Sequence, residues 1–512
     1  MVRSTDSFRR ASFMTLIEML ARTVRAYPDK PAIVSHADSL TYREFDEVTN
    51  RLATMLLGLG VKQGDAVAVL MPPTMHWLIG YFGATKAGAR VVILNAMLTP
   101  VELGVLLLDS GSAIVLTESR FAQALAASAG EDPSPVTHVL PLDDGAFEQK
   151  LDTFPSSAPG VRMEESDECS VLYTSGVLGK QKGVVHTHRS LMAVAEVGIE
   201  CMGLEPEWIV MGMIPFFHVL GLETAFASLH RGCTIVVAPR FTVKNVLEAV
   251  RRHRVSIIVG VPAMFNALAQ VPTDTLKEID MSCLHVAMTA GAKSSASLME
   301  ALEEKYRLVL TEIYGTTETP IICMGGLRTR RLGTAGQPTL EFKVIGEDGN
   351  EVPRGQSGQA ICRGPQVMSG YFRAPDLTAL VLKNGWFYTG DIVTMDDEDY
   401  VTYVEKQSFI IVTSSGVKIP PTEVEEVALT HPSVAEAAYV GVVQDDGGQL
   451  PILFVALREG QEVSRQSLRA FCAQSLAVYK LPQRIELVSE LPKIASGKID
   501  RRNLQAWKAQ RA

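Results

Sequence analysis

The stretch "YTSGVLGKQKGVVH", residues 173–186, decides how the rest of the chain is read. It joins Tyr173, Thr174 and Ser175 to three glycines and two lysines, directly after the apolar run "SVLY" (170–173). Glycines let several backbone N–H groups turn into one concavity, and hydroxyls and lysines complete an anion site. The common P-loop pattern Gly-x-x-x-x-Gly-Lys-Ser/Thr is absent from it. On composition alone, a phosphate loop and a Gly/Ser/Lys surface loop fit about equally well. Val177, Leu178 and Gln181 stand where hydroxyls and a rigid turn would serve a phosphate better.

Outward from this loop the texture is α/β. "AVAVLM" (66–71) and "RVVIL" (90–94) read as strands around a helical "HWLIGYFGATKAG" (76–88). "AIVLT" (113–117), "THVLPL" (137–142), "TIVVAP" (234–239), "VSIIVGV" (255–261) and "LHVAMTAG" (284–291) continue the series, with a helical pattern at 243–253. Continuous apolar strands alternating with helices imply parallel sheets covered by helices. From about 330 to 405, short alternating segments rich in Gly and Pro predict hairpins or a small barrel. Past a boundary at 405–410, helices in "TEVEEVALTHPSV" and "RQSLRAFCAQSL" and strands in "VAEAAYVGVV" and "LPILFVALR" predict a small α+β domain over 410–512. Its length, about 100 residues, is an ordinary domain size.

Bulk properties narrow the function classes. A chain of 512 residues suggests two to four domains. The net charge of −9 argues against generic polyanion binding and so against a nucleic-acid partner. Seven cysteines without a Cys-x-x-Cys pair fit a reducing, cytoplasmic setting with no disulfide framework and no zinc site. Phe13, Leu16, Ile17 and Leu20 follow the pattern of an amphipathic helix, expected to pack on its own domain. No apolar run approaches the roughly 20 residues of a membrane span.

Four constellations carry chemistry. The first is the loop itself. In "EIYGTTETP" (312–320), Tyr314 suits stacking on a base, Thr316 or Thr317 suits a phosphate, and Glu318 is a hard oxygen ligand for Mg²⁺. In "GWFYTGD" (385–391), Asp391 ends an aromatic strand, where a carboxylate can hold a ribose diol or simply cap a turn. In "LPKIASGKIDRRNL" (491–504), Lys498 sits on a Ser-Gly turn, where an ammonium can reach a phosphate-bearing transition state or sit in a solvated basic tail.

Each is weak alone; their order and spacing are specific. Together with "IPFFH" (214–218), "TAGA" (289–292), "GTAGQP" (333–338), "RGPQVMSGYF" (363–372) and "GVKIPPTEVEE" (416–426), they make the chain resemble the AMP-forming adenylating superfamily over nearly its whole length. That superfamily holds acyl- and aryl-CoA synthetases, carrier-loading adenylation domains and luciferases; the chain is most like a bacterial-type acyl-CoA ligase. The resemblance implies two parallel-sheet α/β lobes and a distorted β-barrel over 1–405, binding ATP and the acyl group. It also implies a mobile lid domain over 410–512 carrying the catalytic lysine. The implied ligase reaction activates a hydrophobic carboxylic acid with Mg·ATP to acyl-AMP and pyrophosphate. Thiolate attack follows, usually by CoA, alternatively with a separate thioester-forming or carrier protein.

By the same resemblance, Lys498 contacts the carboxylate and α-phosphate, Thr317 the α-phosphate, and Glu318 the metal. Tyr314 stacks on adenine, with Gly315 and Thr316 beside it, and Asp391 binds ribose. Thr174, Ser175, Gly176, Gly179 and Lys182 form the phosphate loop. Gly291 and Ala292 border adenine and the acyl group; His218 belongs to the acyl-pocket wall with Phe216, Phe217, Val261, Met288 and Ile321. Val219, Leu220, Met264, Ile322 and Met324 extend that apolar set. No acidic residue stands out to receive an α-ammonium, so a fatty, aromatic or terpenoid acid is expected.

Two departures from the family pattern matter. Hydroxyls are usual at Val177 and Leu178 and a proline at Gln181; their loss removes one or two hydrogen bonds to charged groups, about 1.5–3 kcal/mol each. In "YVTYVEKQSFIIVTSSG" (400–416), alignment on Tyr400 puts Lys406 at the family's arginine and Phe409 at its hinge residue. Alignment back from Gly416 puts Gln407 and Ile410 there. Lysine does not replace a bidentate guanidinium without loss. In the family this loop serves thioester formation and Lys498 serves adenylation. The expectation is therefore retained adenylation with a weakened or lost CoA step. An ordinary two-step synthetase, a homologue using supplied acyl-AMP, and a nucleotide- or acyl-binding regulator stay open.

Overall fold

Among the described residues five sheets form, three of them large, and the strands that flank the glycine-rich loop belong to one of these. The computed structural model describes residues 14–127, 135–174, 181–238, 240–291, 294, 296–346, 348–406, 411–419, 421–444, 447–492, 499 and 501–505. One sheet has seven strands in the order Gly370–Tyr371, Lys182–Thr187, Glu168–Thr174, Arg90–Ile93, Ala66–Leu70, Ile114–Thr117, His138–Pro141. The last five run parallel. The loop, however, joins two antiparallel strands, with Thr174 opposite Lys182 and Tyr173 opposite Gly183. The strands on either side of it thus form a hairpin, unlike the strand and helix that flank a P-loop.

The second sheet has nine strands, and its central strands Val309–Tyr314, Val286–Ala290, Ile257–Gly260, Ile209–Gly212 and Thr234–Val237 are all parallel. Helices Met75–Lys86, His188–Met202 and Val219–Arg231 pack between the two sheets and are buried on most faces. Their aromatic rings interlock: Trp77 stacks on Tyr81 at 5.4 Å, and Phe226 lies 5.1 Å from Tyr81. A helix apolar all round has no solvent face, and this explains why one hydrophobic cluster continues from one sheet to the other.

The barrel-like expectation corresponds to a five-stranded antiparallel sheet of Glu341–Ile345, Gly358–Arg363, Trp386–Met395, Val401–Lys406 and Leu382–Lys383. Past it, Val434–Val443, Gln449–Leu457 and Arg484–Val488 form a three-stranded sheet with its own core, packed by helices Pro421–Leu429 and Arg465–Cys472. The proposed boundary at 405–410 falls largely on residues 407–410, outside the described residues.

The two parts meet through a buried ion cluster. Lys480 Nζ donates to Glu423 Oε1 at 2.6 Å and, across the boundary, to Glu102 Oε1 at 2.8 Å. Glu102 is the third residue of a helix capped by Thr99, and its other carboxylate oxygen accepts the Thr99 N–H. Burial disfavours the Lys480 cation, but Tyr479, Glu423 and Glu102 outweigh it and hold its pKa above the ordinary lysine value. Asn95 Nδ2 reaches the hydroxyl of Tyr479 at 3.3 Å beside this cluster. Among the described residues, no helix is long and apolar enough to cross a membrane.

Candidate active site

A cleft of about 760 Å³ opens where the hairpin, the nine-stranded sheet, the antiparallel module and the C-terminal unit converge. Thr174 and Lys182 face each other at the base of the hairpin and both line it. The turn after strand Val309–Tyr314 supplies Gly315, Thr316, Thr317 and Glu318. Strand Trp386–Met395 supplies Thr389, Gly390 and Asp391. Gly291 closes the adenine-side expectation at the end of strand Val286–Ala290.

The turn is held rigidly. A Cβ on Gly315 would lie 1.9 Å from the carbonyl oxygen of Pro320, so only glycine fits there. Thr316 N–H donates to the Thr319 carbonyl, and Thr319 N–H donates to the Thr316 carbonyl. His186 is fully buried and its pKa is lowered by burial; the neutral ring donates Nε2–H to the carbonyl of Thr317 at 2.8 Å. Glu318 Oε1 accepts the hydroxyl of Tyr371 at 2.7 Å, and Lys182 Nζ lies 4.6 Å from the centre of that tyrosine ring. Burial and Glu318 raise the Tyr371 pKa, so the phenol stays a donor. Lys182, Tyr371 and Glu318 thus form one connected wall, in which Tyr371 is a residue that motif reading missed.

Tyr314, expected to stack on adenine, is 8% exposed and donates its hydroxyl to Asp391 Oδ2 at 2.9 Å. Its neighbours Ile313 and Gly315 form the wall at that point. Its described contact is therefore with the carboxylate expected to hold ribose. Lys406 stands opposite Asp391 in the strand register; its side chain lies outside the described residues. So do Ser175, Gly176, Val177, Leu178, Gly179, Ala292, Gln407, Phe409, Ile410 and Lys498. Gln181 lines the cleft.

The acyl-pocket expectation divides. Phe217, His218 and Val261 line the cleft, as do Val219, Leu220 and Met264. Phe216, Met288 and Ile321 do not: they are about 1% exposed and belong to the core. Phe216 packs against Trp77 at 5.0 Å, and Met288 sits in a strand buried on both faces. One acid does line this part of the cleft, although none stood out in the sequence as a partner for an α-ammonium. Glu223, on the same helix face as Val219 and Leu220, lines the cleft. The signal was present in "VLGLETAFASL" (219–229), a lone carboxyl one turn inside an apolar helix.

From the C-terminal unit, Ser415, Gly416, Val417, Tyr479 and Lys480 line the same cleft. Gly416 has φ +75°, and a Cβ there would meet the Val261 side chain at 3.0 Å. The turn of the hairpin Ile411–Val412/Lys418–Ile419 is thus pressed against the acyl-pocket wall. The flank of Lys498 is tied down separately: Arg501 grips both oxygens of Glu425 at 2.6 and 2.7 Å and donates to the Tyr439 carbonyl at 3.2 Å.

Two α/β sheets, an antiparallel module and a small cleft-facing C-terminal unit around this set of residues define an AMP-forming acid–thiol ligase. The chain belongs to the AMP-binding enzyme family: that family's profile matches residues 20–372, and the AMP-binding enzyme C-terminal domain matches residues 423–498. It is 31% identical to a long-chain-fatty-acid–CoA ligase of Escherichia coli, over 96% of this chain and 94% of that one. Among solved structures it is similar to the amide bond synthetase McbA of Marinactinospora thermotolerans, with TM-score 0.88, 28% identity, and coverage of 96% of this chain and 99% of that one. It is also similar to a double mutant of o-succinylbenzoate CoA synthetase from Bacillus subtilis bound with its product analogue, with TM-score 0.84, 28% identity, and coverage of 96% and 98%.

Proposed function

We propose that the protein activates a hydrophobic carboxylic acid with ATP, forming acyl-AMP and pyrophosphate, and then transfers the acyl group to the thiol of CoA. The observation that carries this reading is the single cleft into which Thr174, Lys182, Gly315 to Glu318 and Asp391 converge, with an apolar wing at Phe217, His218 and Val261. Adenylation is an in-line displacement at the α-phosphorus, and the protein contributes positioning and charge neutralisation. Thr174 and Lys182 at the base of the hairpin hold the phosphates, Thr317 donates to the α-phosphate, and Asp391, steadied by Tyr314, takes the ribose hydroxyls. Lys498 stabilises the charge that builds between carboxylate and phosphate. Glu318 offers magnesium a hard oxygen donor beside substrate phosphates, which suits a cation that binds through few carboxylates; when bound, the ion supplies neutralisation of phosphate charge.

The second half-reaction is kept in this reading, contrary to the expectation from the hinge sequence. Its support is the position of Gly416 against Val261 and of Lys480 between Glu102 and Glu423, which holds the hinge-loop side of the C-terminal unit over the cleft. The CoA-ligase relatives support it too. The domain limits 1–405 and 410–512 are part of the same proposal. One alternative acceptor has a specific observation behind it: the likeness to an amide bond synthetase favours an amine in place of the thiol.

The test is ATP–pyrophosphate exchange across a panel of fatty, aromatic and terpenoid acids, followed by addition of CoA or a small primary amine. Exchange with at least one acid, lost in Lys498→Ala, supports adenylation. Nucleotide binding with no exchange for any acid removes it.

A further inference from the structure

Glu223 is an acid in the apolar wing of the cleft, and its chemistry does not match its surroundings. It is 4% exposed, and its Oε2 has no hydrogen-bond partner among the described residues. Burial raises its pKa well above the ordinary carboxylate value, favouring the neutral carboxyl. It lies on helix Val219–Arg231, one turn from Val219 and Leu220, and with them lines the cleft. The aromatic wall behind repeats the pattern: Trp77, in contact with Phe216, is fully buried and its indole N–H also lacks a partner.

A side chain needed only for volume would be leucine or methionine. A buried carboxyl without a partner is destabilising in the empty protein, and removing it for an apolar group of similar size relieves that cost. A cleft-facing group of this kind is satisfied when the ligand brings its complement. Glu423 Oε2 and Glu312 Oε2 are likewise buried without a hydrogen-bond partner among the described residues, but Glu423 binds Lys480 through its other oxygen, as Glu102 does, and Glu425 has Arg501; Glu223 has no such cation among the described residues.

We propose that Glu223 is the specificity-determining residue of the acyl pocket, and that the preferred acid carries a hydroxyl or amino group on its otherwise apolar tail, which pairs with the Glu223 carboxyl. This rests on the adenylation reading above. A site built around a polar partner discriminates against the analogue lacking it far more strongly than an apolar pocket discriminates one methylene.

The experiment compares octanoate with its ω-hydroxy and ω-amino forms, and phenylpropionate with its para-hydroxy and para-amino forms, by acid-dependent ATP–pyrophosphate exchange. Wild type, Glu223→Gln and Glu223→Leu are assayed, with thermal melting of each. The expected wild-type preference, in kcat/KM, is about tenfold or more for a substituted acid in at least one series. Glu223→Gln keeps part of it, and Glu223→Leu reverses it toward the plain acid while melting no lower than wild type. The hydroxy and amino arms tell which donor is preferred. Equal use of plain and substituted acids by wild type, or an unchanged preference in Glu223→Leu, overturns the role of Glu223 while leaving adenylation standing. No exchange with any acid overturns both.

Discussion

Substituting Glu102 by glutamine isolates the contact that spans the two parts of the molecule. Gln at this position keeps the reciprocal cap on Thr99, because glutamine serves the third position of a capping box as glutamate does. It removes the charge that faces Lys480 at 2.8 Å, in a site where the two side chains are 8% and 3% exposed. With the single glutamine oxygen kept on the Thr99 cap, its NH2 group turns to Lys480 and cannot accept; Lys480 retains Glu423, so the loss is one charge-assisted hydrogen bond offset in part by that remaining partner, about 1–2 kcal/mol. If the C-terminal unit exchanges between two placements, that energy lowers the population of the one described here by roughly 5- to 30-fold. CoA thioester formation from preformed acyl-AMP should slow by about that factor, while ATP–pyrophosphate exchange stays within about twofold or rises. Both rates are read on one preparation, by rapid quench and by labelled pyrophosphate. Equal loss of both half-reactions, or an unchanged thioester rate, would refute the reasoning that this ion cluster selects the second step.

Three further outcomes follow from particular contacts. Arg501 lies three residues from Lys498, and Arg501→Ala leaves the buried Glu425 carboxylate without its cation; exchange should fall by about tenfold or more and helix Arg501–Gln505 should become sensitive to limited proteolysis. Gly315→Ala has no room for its methyl beside Pro320, so exchange should drop about tenfold or more, with a lower melting temperature. His188 accepts the Leu16 N–H on Nδ1 and burial lowers its pKa to about 4. Below pH 6.5 the unfolded chain therefore binds a proton that the folded chain refuses. Stability should fall as pH drops from 6.5 toward 4, by an amount on the order of 3 kcal/mol for this group, and be flat above 7. His188→Gln should flatten that slope in denaturant titrations, and an unchanged slope would exclude His188 as its source.

The parallel core was legible because strands buried on both faces have no polar alternation to confuse the reading. The helix Val243–His253 was legible to the residue, since Thr242 caps it and Arg254 leaves in the left-handed region. What was hidden is non-local. Nothing in the sequence says that Lys182–Thr187 turns back antiparallel on Glu168–Thr174, because register is set by partners, not by composition. Lys480 read as an ordinary basic residue, since its partner carboxylates lie 378 and 57 positions away. Tyr371 and Glu318, 53 positions apart, met for the same reason. Phe216 and Phe217 show the limit within one motif: adjacent rings, one in the core and one in the cleft. Glu223 was visible and passed over, because a glutamate on a helix ordinarily faces water.

The most direct measurement is a single-turnover reaction in which enzyme, ATP and an accepted acid are mixed and CoA is added after acyl-AMP has formed. The account predicts pyrophosphate release with acyl-AMP held on the enzyme, then its conversion to acyl-CoA and AMP when CoA arrives. Acyl-AMP that forms and persists unchanged in the presence of CoA would contradict it.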